Sequence, residues 1–141
     1  MLEGLQTEID RYPELVGASN EIKMRAINSA TAETELWVVR DDELKVPVGD
    51  MLALLSLDSQ ARLYDFMQTD TNEAKGFKLF YEKHDQFKVA DPVFRRTIQL
   101  LHDPLNVLTV DERDIILRLG ERLQTRAEEL FGRLITAEDF E

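Results

Sequence analysis

Apolar positions along this chain recur mostly at helical spacing, in short runs that stop abruptly. Leu2, Leu5 and Ile9 fall at i, i+3 and i+7, one face of a short helix. That helix must end near Tyr12, because Pro13 disfavours helical geometry in the residue before it. Ser19 can cap a second helix, with Ile22, Ala26 and Ile27 facing inward. The period then changes. Glu35-Leu36-Trp37-Val38-Val39 is β-rich, Asp41-Asp42-Glu43 is a polar break, and Leu44, Val46 and Val48 alternate with Lys45 and Pro47. Alternation around a turn predicts one small β-hairpin over about 34–48. Its second arm must be an edge, since Pro47 has no N–H for a ladder, and the whole must pack on helices or pair with another chain.

Helical spacing then resumes. Gly49-Asp50 opens a short helix through Met51, Leu52, Leu54 and Leu55, and Ser56 or Asp58 starts the next, with Ala61, Tyr64 and Met67 inward. Asp70-x-x-Glu73 has capping-box spacing ahead of Phe77, Phe80 and Tyr81. Asp91-Pro92 joins an N-cap oxygen to a proline at the first helical position, ahead of a stripe of Phe94, Ile98 and Leu101 that Asp103-Pro104 closes. Thr109 to Glu112 and Thr125 to Glu128 are capping boxes, stopped by Gly120 and Gly132. Thr136 to Asp139 begins a third, close to Glu141. The predicted fold is mainly α: several short capped helices with one small β-hairpin, in a single domain over 1–141. Residues 133–141 read as a tail, flexible or available to a partner.

Composition narrows the function. The 141 residues include no cysteine and carry 28 acidic against 17 basic side chains, a net charge of −11. Without cysteine there is no disulfide framework, no cysteine-held metal and no thiol nucleophile. The charge repels nucleic acid, so binding to it is not expected. No apolar run approaches the roughly 20 residues needed to span a bilayer, so no membrane partner is expected either. The acidity is uneven: residues 1–70 carry a net of −8, residues 71–141 a net of −3, and residues 75–96 a local +3 from Lys75, Lys78, Lys83, Lys88, Arg95 and Arg96. Phe77, Phe80, Tyr81, Phe87 and Phe94 interleave with these bases. Such a stretch can stack bases and hold phosphates. Helical spacing offers the simpler account, rings inward and lysines outward.

Candidate chemistry is sparse. His84 sits among Glu82, Lys83 and Asp85, and His102 lies at a predicted helix end beside Asp103, but neither has the spacing of a metal pair. Asp41-Asp42-Glu43 and Glu138-Asp139 lack the calcium-loop pattern and read as solvated turns. No glycine-rich phosphate loop and no nucleophile elbow occur. No catalytic residue, metal or cofactor is expected, and the chain reads as non-enzymatic.

In order along the last third stand Val89-Ala90-Asp91-Pro92-Val93, Leu108-Thr109, Leu119-Gly120-Glu121-Arg122, Thr125 through Gly132 and Ile135 through Asp139. This succession resembles the C-terminal signature, "ADP…LT…LG…SRAEELFG…VT…D", of small proteins encoded in the tail-gene region of long-tailed bacteriophages. Thr125 stands where serine is usual, which preserves the cap. Glu8-Ile9, Pro13-Glu14-Leu15, Ala26-Ile27-Asn28 and Val46-Pro47-Val48 are also similar to that group. The resemblance implies a structural or accessory protein of the phage tail or tail tip, located in the virion. It would act through contacts with other phage structural proteins and with further copies of itself in symmetric array. Trp37, Val46, Val48, Phe131 and Phe140, on the hairpin and near the C-terminus, are the residues expected at such contacts. The alternative is an acidic phage protein inside the host cell that blocks a basic groove on a nucleic-acid-handling enzyme.

Overall fold

The computed structural model describes all 141 residues. In chain order it contains α1 (Leu5–Ile9), a 3-10 turn (Pro13–Leu15), α2 (Asn20–Ser29), β1 (Trp37–Val39), β2 (Lys45–Pro47), α3 (Val48–Leu52) and α4 (Leu57–Met67). There follow α5 (Asn72–Lys83), β3 (Gln86–Lys88), α6 (Pro92–His102), α7 (Val110–Leu119), β4 (Glu121–Leu123), α8 (Arg126–Phe131) and a second 3-10 turn (Ala137–Phe140). The fold is mainly helical, with two small two-stranded sheets.

Within the length expected for a single domain, the chain forms two compact units. The first combines Met1–Val38 with Leu123–Glu141, and the second is the continuous stretch Val39–Arg122. Each has its own apolar core. In the first unit Leu5, Ile9, Leu15, Ile27, Ala127 and Ile135 are buried together, where α2 packs on α8 and on the second 3-10 turn. In the second, Met51, Leu63, Phe87, Phe94, Ile98 and Ile116 belong to a larger cluster, where α6 packs on α7 and α4 on α5.

Capping residues explain where most helices begin. The side chains of Ser19, Ser56, Thr71 and Asp91 each accept a hydrogen bond from a backbone N–H of the first turn, satisfying donors the helix leaves orphaned. Thr109 with Glu112 and Thr125 with Glu128 form complete capping boxes. Thr136 with Asp139 makes a third on the short 3-10 turn. At the start of α5 the cap is Thr71, not the Asp70 box: the Thr71 hydroxyl lies 3.1 Å from the Ala74 N–H.

The 34–48 segment corrects the hairpin expectation. Both arms are strands, but they do not pair with each other: β1 pairs with β4, and β2 pairs with β3. The β2–β3 ladder is antiparallel, with Lys45 opposite Lys88, Val46 opposite Phe87 and Pro47 opposite Gln86. Burial decides this. Pairing with β3 sets Val46 beside the buried Phe87 of the second core, and the short-range turn offers no comparable apolar gain. The Arg40 N–H donates to the Gly120 carbonyl at 2.8 Å and the Gln124 N–H to that of Leu36 at 2.8 Å, at the two ends of the β1–β4 pairing.

Inward faces also differ in places. On α4 the buried side is Ser59 and Leu63, with Phe66 and Met67 partly buried, while Ala61 and Tyr64 face water. Ile22 on α2 and Ile115 on α7 are exposed, and their neighbours Ile27 and Ile116 carry the burial. Residues 133–141, read from sequence as a tail, are fastened to the first unit. Ile135 is 2% exposed. Its N–H donates to the Asn28 Oδ1 at 2.8 Å, and the Asn28 amide donates to its carbonyl at 3.0 Å. The Leu2 N–H donates to the Asp139 carbonyl at 2.7 Å.

Candidate interaction surface

Of the five residues expected at contacts, four lie against the core of their own unit. Val46 and Val48 pack on the second core, and Phe131 and Phe140 pack on the first. Trp37 is the exception: 37% of it is exposed, and its indole N–H reaches the Glu35 carboxylate at 3.2 Å. Leu36 and Val39 beside it are 49% and 48% exposed, so the β1 segment carries three large apolar side chains in water. Tyr64, Leu57 and Val16 are other large exposed apolar residues.

Charged side chains, by contrast, are mostly engaged within the units. Glu112 is 7% exposed and serves two helices at once. Its Oε1 accepts the Thr109 N–H at 3.0 Å and a short bond from the Ser59 hydroxyl, while its Oε2 accepts the Ser56 N–H at 2.7 Å. Ser56 is the N-cap of α4, so one carboxylate fixes the starts of both α4 and α7. Burial alone would raise its pKa. The hydrogen bonds from Ser59, Thr109 and Ser56 outweigh it and hold the carboxyl at about 2. The Arg62 guanidinium completes the knot, donating to the Ser59 hydroxyl at 2.6 Å and to the Val107 carbonyl at 2.9 Å.

A second network lies in the first unit. Glu8, 3% exposed, accepts from Arg126 Nε at 3.1 Å and from the Tyr12 hydroxyl at 3.2 Å. Burial pushes the Glu8 carboxyl up, and Arg126, the Tyr12 hydroxyl and Arg11 together outweigh it, leaving the carboxyl below the ordinary range. Arg126 also bonds Glu129, whose Oε2 accepts the Thr34 N–H at 2.9 Å. Near the C-terminus, Arg133 grips Asp139 with two bonds of 2.8 and 2.7 Å, and with the Thr136 N–H this holds the Asp139 carboxyl far below its usual value.

The residues weighed for chemistry fall into place accordingly. The His102 ring Nδ1 lies 2.9 Å from the Leu108 carbonyl oxygen. Asp42 takes a forked grip from Arg40, and Glu43 pairs with Lys88 at 3.4 Å. No group of three or more His, Asp or Glu side chains is placed to hold a metal ion. No helix is long and apolar enough to cross a membrane.

The aromatic run of residues 77–94 supplies much of the second core. Phe80 and Phe87 stack with ring centroids 5.2 Å apart and planes 2° from parallel, and Phe87 stacks in turn on Phe94 at 5.2 Å. Beside these rings opens a cleft of about 630 Å³, lined by Lys45, Lys83, His84, Asp85, Gln86, Lys88 and Asp91 over the three phenylalanines. A more apolar groove of about 460 Å³ runs between α5 and α6, lined by Gly76, Phe77, Val93, Thr97 and Leu100 among others. The sequence flags the basic and aromatic stretch, but the arrival of Lys45 from 38 residues before Lys83 is a product of the β2–β3 pairing.

No protein-family model matches this chain, and neither a curated protein nor a solved structure matches it.

Proposed function

We propose that this chain is a non-enzymatic structural or accessory protein of a bacteriophage tail or tail tip, acting through protein–protein contacts in the virion. The observation that supports this reading best is the β1 segment, where Leu36, Trp37 and Val39 hold large apolar side chains in water on a strand with a neighbour on one side only. Exposed aromatic and aliphatic clusters on a short two-stranded ribbon suit burial against a partner, and tryptophan is enriched where such contacts carry most energy. Addition of a partner strand is one route to that burial. The resemblance of residues 89–139 to tail-region proteins points the same way. In this reading Trp37 is a contact residue, while Val46, Val48, Phe131 and Phe140 pack against the cores of their own units.

Quantitative mass spectrometry of purified, nuclease-treated phage particles, calibrated against the major tail protein, tests the proposal. A fixed small copy number is expected, with Trp37→Ala reducing incorporation while the helical circular dichroism signal is kept. Absence from particles, with abundance in infected cells, would overturn it and favour the acidic inhibitor of a basic host groove.

A further inference from the structure

We propose that the cleft over Phe80, Phe87 and Phe94 binds a phosphorylated aromatic ligand, a nucleoside phosphate being the simplest of its class. The argument begins with a charge arrangement that folding alone does not explain. Lys45 and Lys88 stand directly opposite each other on the β2–β3 ladder. The Val48 N–H donates to the Asp85 carbonyl at 3.0 Å and the Val89 N–H to that of Leu44 at 3.3 Å. By the alternation of an antiparallel ladder, Lys45 and Lys88 are then a closely spaced, non-hydrogen-bonded pair. Like charges in that position are destabilising. Glu43 relieves Lys88 only, from solvent at 3.4 Å. Lys83 brings a third positive charge into the same cleft. Its place in the last turn of α5 suits the helix dipole, but no such account exists for the facing lysines.

Two acids, Asp85 and Asp91, share the cleft with the three lysines; Asp91 caps α6, its Oδ1 accepting the Val93 N–H at 2.8 Å. An anion seated between Lys45 and Lys88 would turn their repulsion into two charge-assisted contacts. Phe80, Phe87 and Phe94 line the same cleft. Phe87 and Phe94 are buried, so Phe80 and the exposed His84 ring, 5.0 Å from it, are the ring surfaces a planar ligand can meet. A volume of about 630 Å³ lies within the range of small-molecule sites. Charge limits the size of the ligand from the other side. The chain's net −11 repels a long polyanion, while a single nucleotide feels chiefly the local lysines.

The test titrates the full chain at low salt with ADP, following backbone amides by NMR, with adenosine, inorganic phosphate and a 5′-phosphorylated oligothymidylate as further probes. ADP is expected to shift the amides of Lys45, His84 and Lys88 saturably, and to bind more tightly than adenosine or phosphate alone. The double variant Lys45→Gln, Lys88→Gln should weaken ADP binding by about tenfold or more. Its thermal midpoint should equal or exceed the parent's, because a like-charge pair has been removed. ADP is expected to bind more tightly than the oligonucleotide, and the reverse order would overturn the size limit that the chain's net −11 sets on the ligand. The proposal is overturned by the absence of saturable shifts at millimolar ADP, by unchanged affinity in the double variant, by phosphate binding as well as ADP, or by a lowered midpoint of the variant.

Discussion

Replacing Glu112 with glutamine should destabilise the second unit by an amount that depends on pH in a defined way. Three donors converge on this carboxylate: the Thr109 and Ser56 N–H groups and the Ser59 hydroxyl. An amide has one accepting oxygen, so at least one backbone N–H would face an NH2 group instead. Leaving a buried donor unsatisfied costs about 1–3 kcal/mol, and losing the charge on the acceptor weakens what remains. The titration gives a second measure. A carboxyl at about 2 in the fold, against 4.5 in an ordinary glutamate, corresponds to about 3 kcal/mol of stabilisation by the ionised form. The folded value is depressed, so this contribution is complete above pH 4.5 and is lost as pH falls toward 2. Urea unfolding of parent and Glu112→Gln, followed by circular dichroism, should therefore show a gap of about 2–3 kcal/mol at pH 7 that narrows to less than about 1 kcal/mol near pH 2. Because each unit has its own core, hydrogen exchange at the Ser56 and Thr109 amides localises the effect, and both should exchange faster in the variant at neutral pH. Equal stability at pH 7, or a gap that stays constant with pH, would refute the assignment of Glu112 as an ionised tie between α4 and α7.

Three further outcomes follow from the geometry. Gly120→Ala places a Cβ 2.0 Å from the Val89 carbonyl oxygen and 2.7 Å from its carbon, a clash with backbone that the site cannot relieve. It should cost about 3 kcal/mol or more, measured by urea unfolding, whereas Gly132→Ala, strained only by a φ of 73°, should cost about 1 kcal/mol. Arg126→Met removes the main partner of the buried Glu8 and should cost about 3 kcal/mol, while adding Glu8→Gln should recover part of that loss. A double-mutant cycle with no coupling between the two would contradict the pairing. Below the Asp139 titration the Arg133 grip should be released, since the folded value is depressed, and protection of the Thr136 amide should fall with it in acid. Unchanged protection in Asp139→Asn at neutral pH would rule out that clamp.

Local chemistry was legible in this sequence where a few neighbouring residues decide it. Ser19, Asp91, Thr109, Thr125 and Gly132 act as the caps and stops their spacing announces, because the bonds involved span at most a few residues. The inward face of α4 was harder to read: Leu63 and Tyr64 are adjacent and both apolar, and only the shape of the surrounding core selects Leu63. Strand pairing was not legible at all. Alternation in 44–48 identifies an extended segment but carries no information about its partner, and β3 lies some forty residues on. The same limit hid the Lys45–Lys88 pair, whose members are unremarkable apart. Glu112 was half legible, as one arm of a capping box, while its reach to Ser56 depends on how α4 packs beside α7. Gly120 ends α7 as its place after Leu119 predicts, but the close approach of Val89 that demands a glycine there is a tertiary fact.

The first unit is assembled from both ends of the chain, and the second is one uninterrupted stretch between them. During synthesis the two therefore have different histories. Val39–Arg122 holds every member of its core before residue 123 is added. Leu5, Ile9 and Ile27, made first, must wait for Ala127 and Ile135 to bury them. For the time it takes to translate the whole second unit, the N-terminal segment is an unfinished half with exposed apolar side chains. A nascent chain stalled before Ala127 would carry a second unit with its core complete and a first unit that has no means of closing.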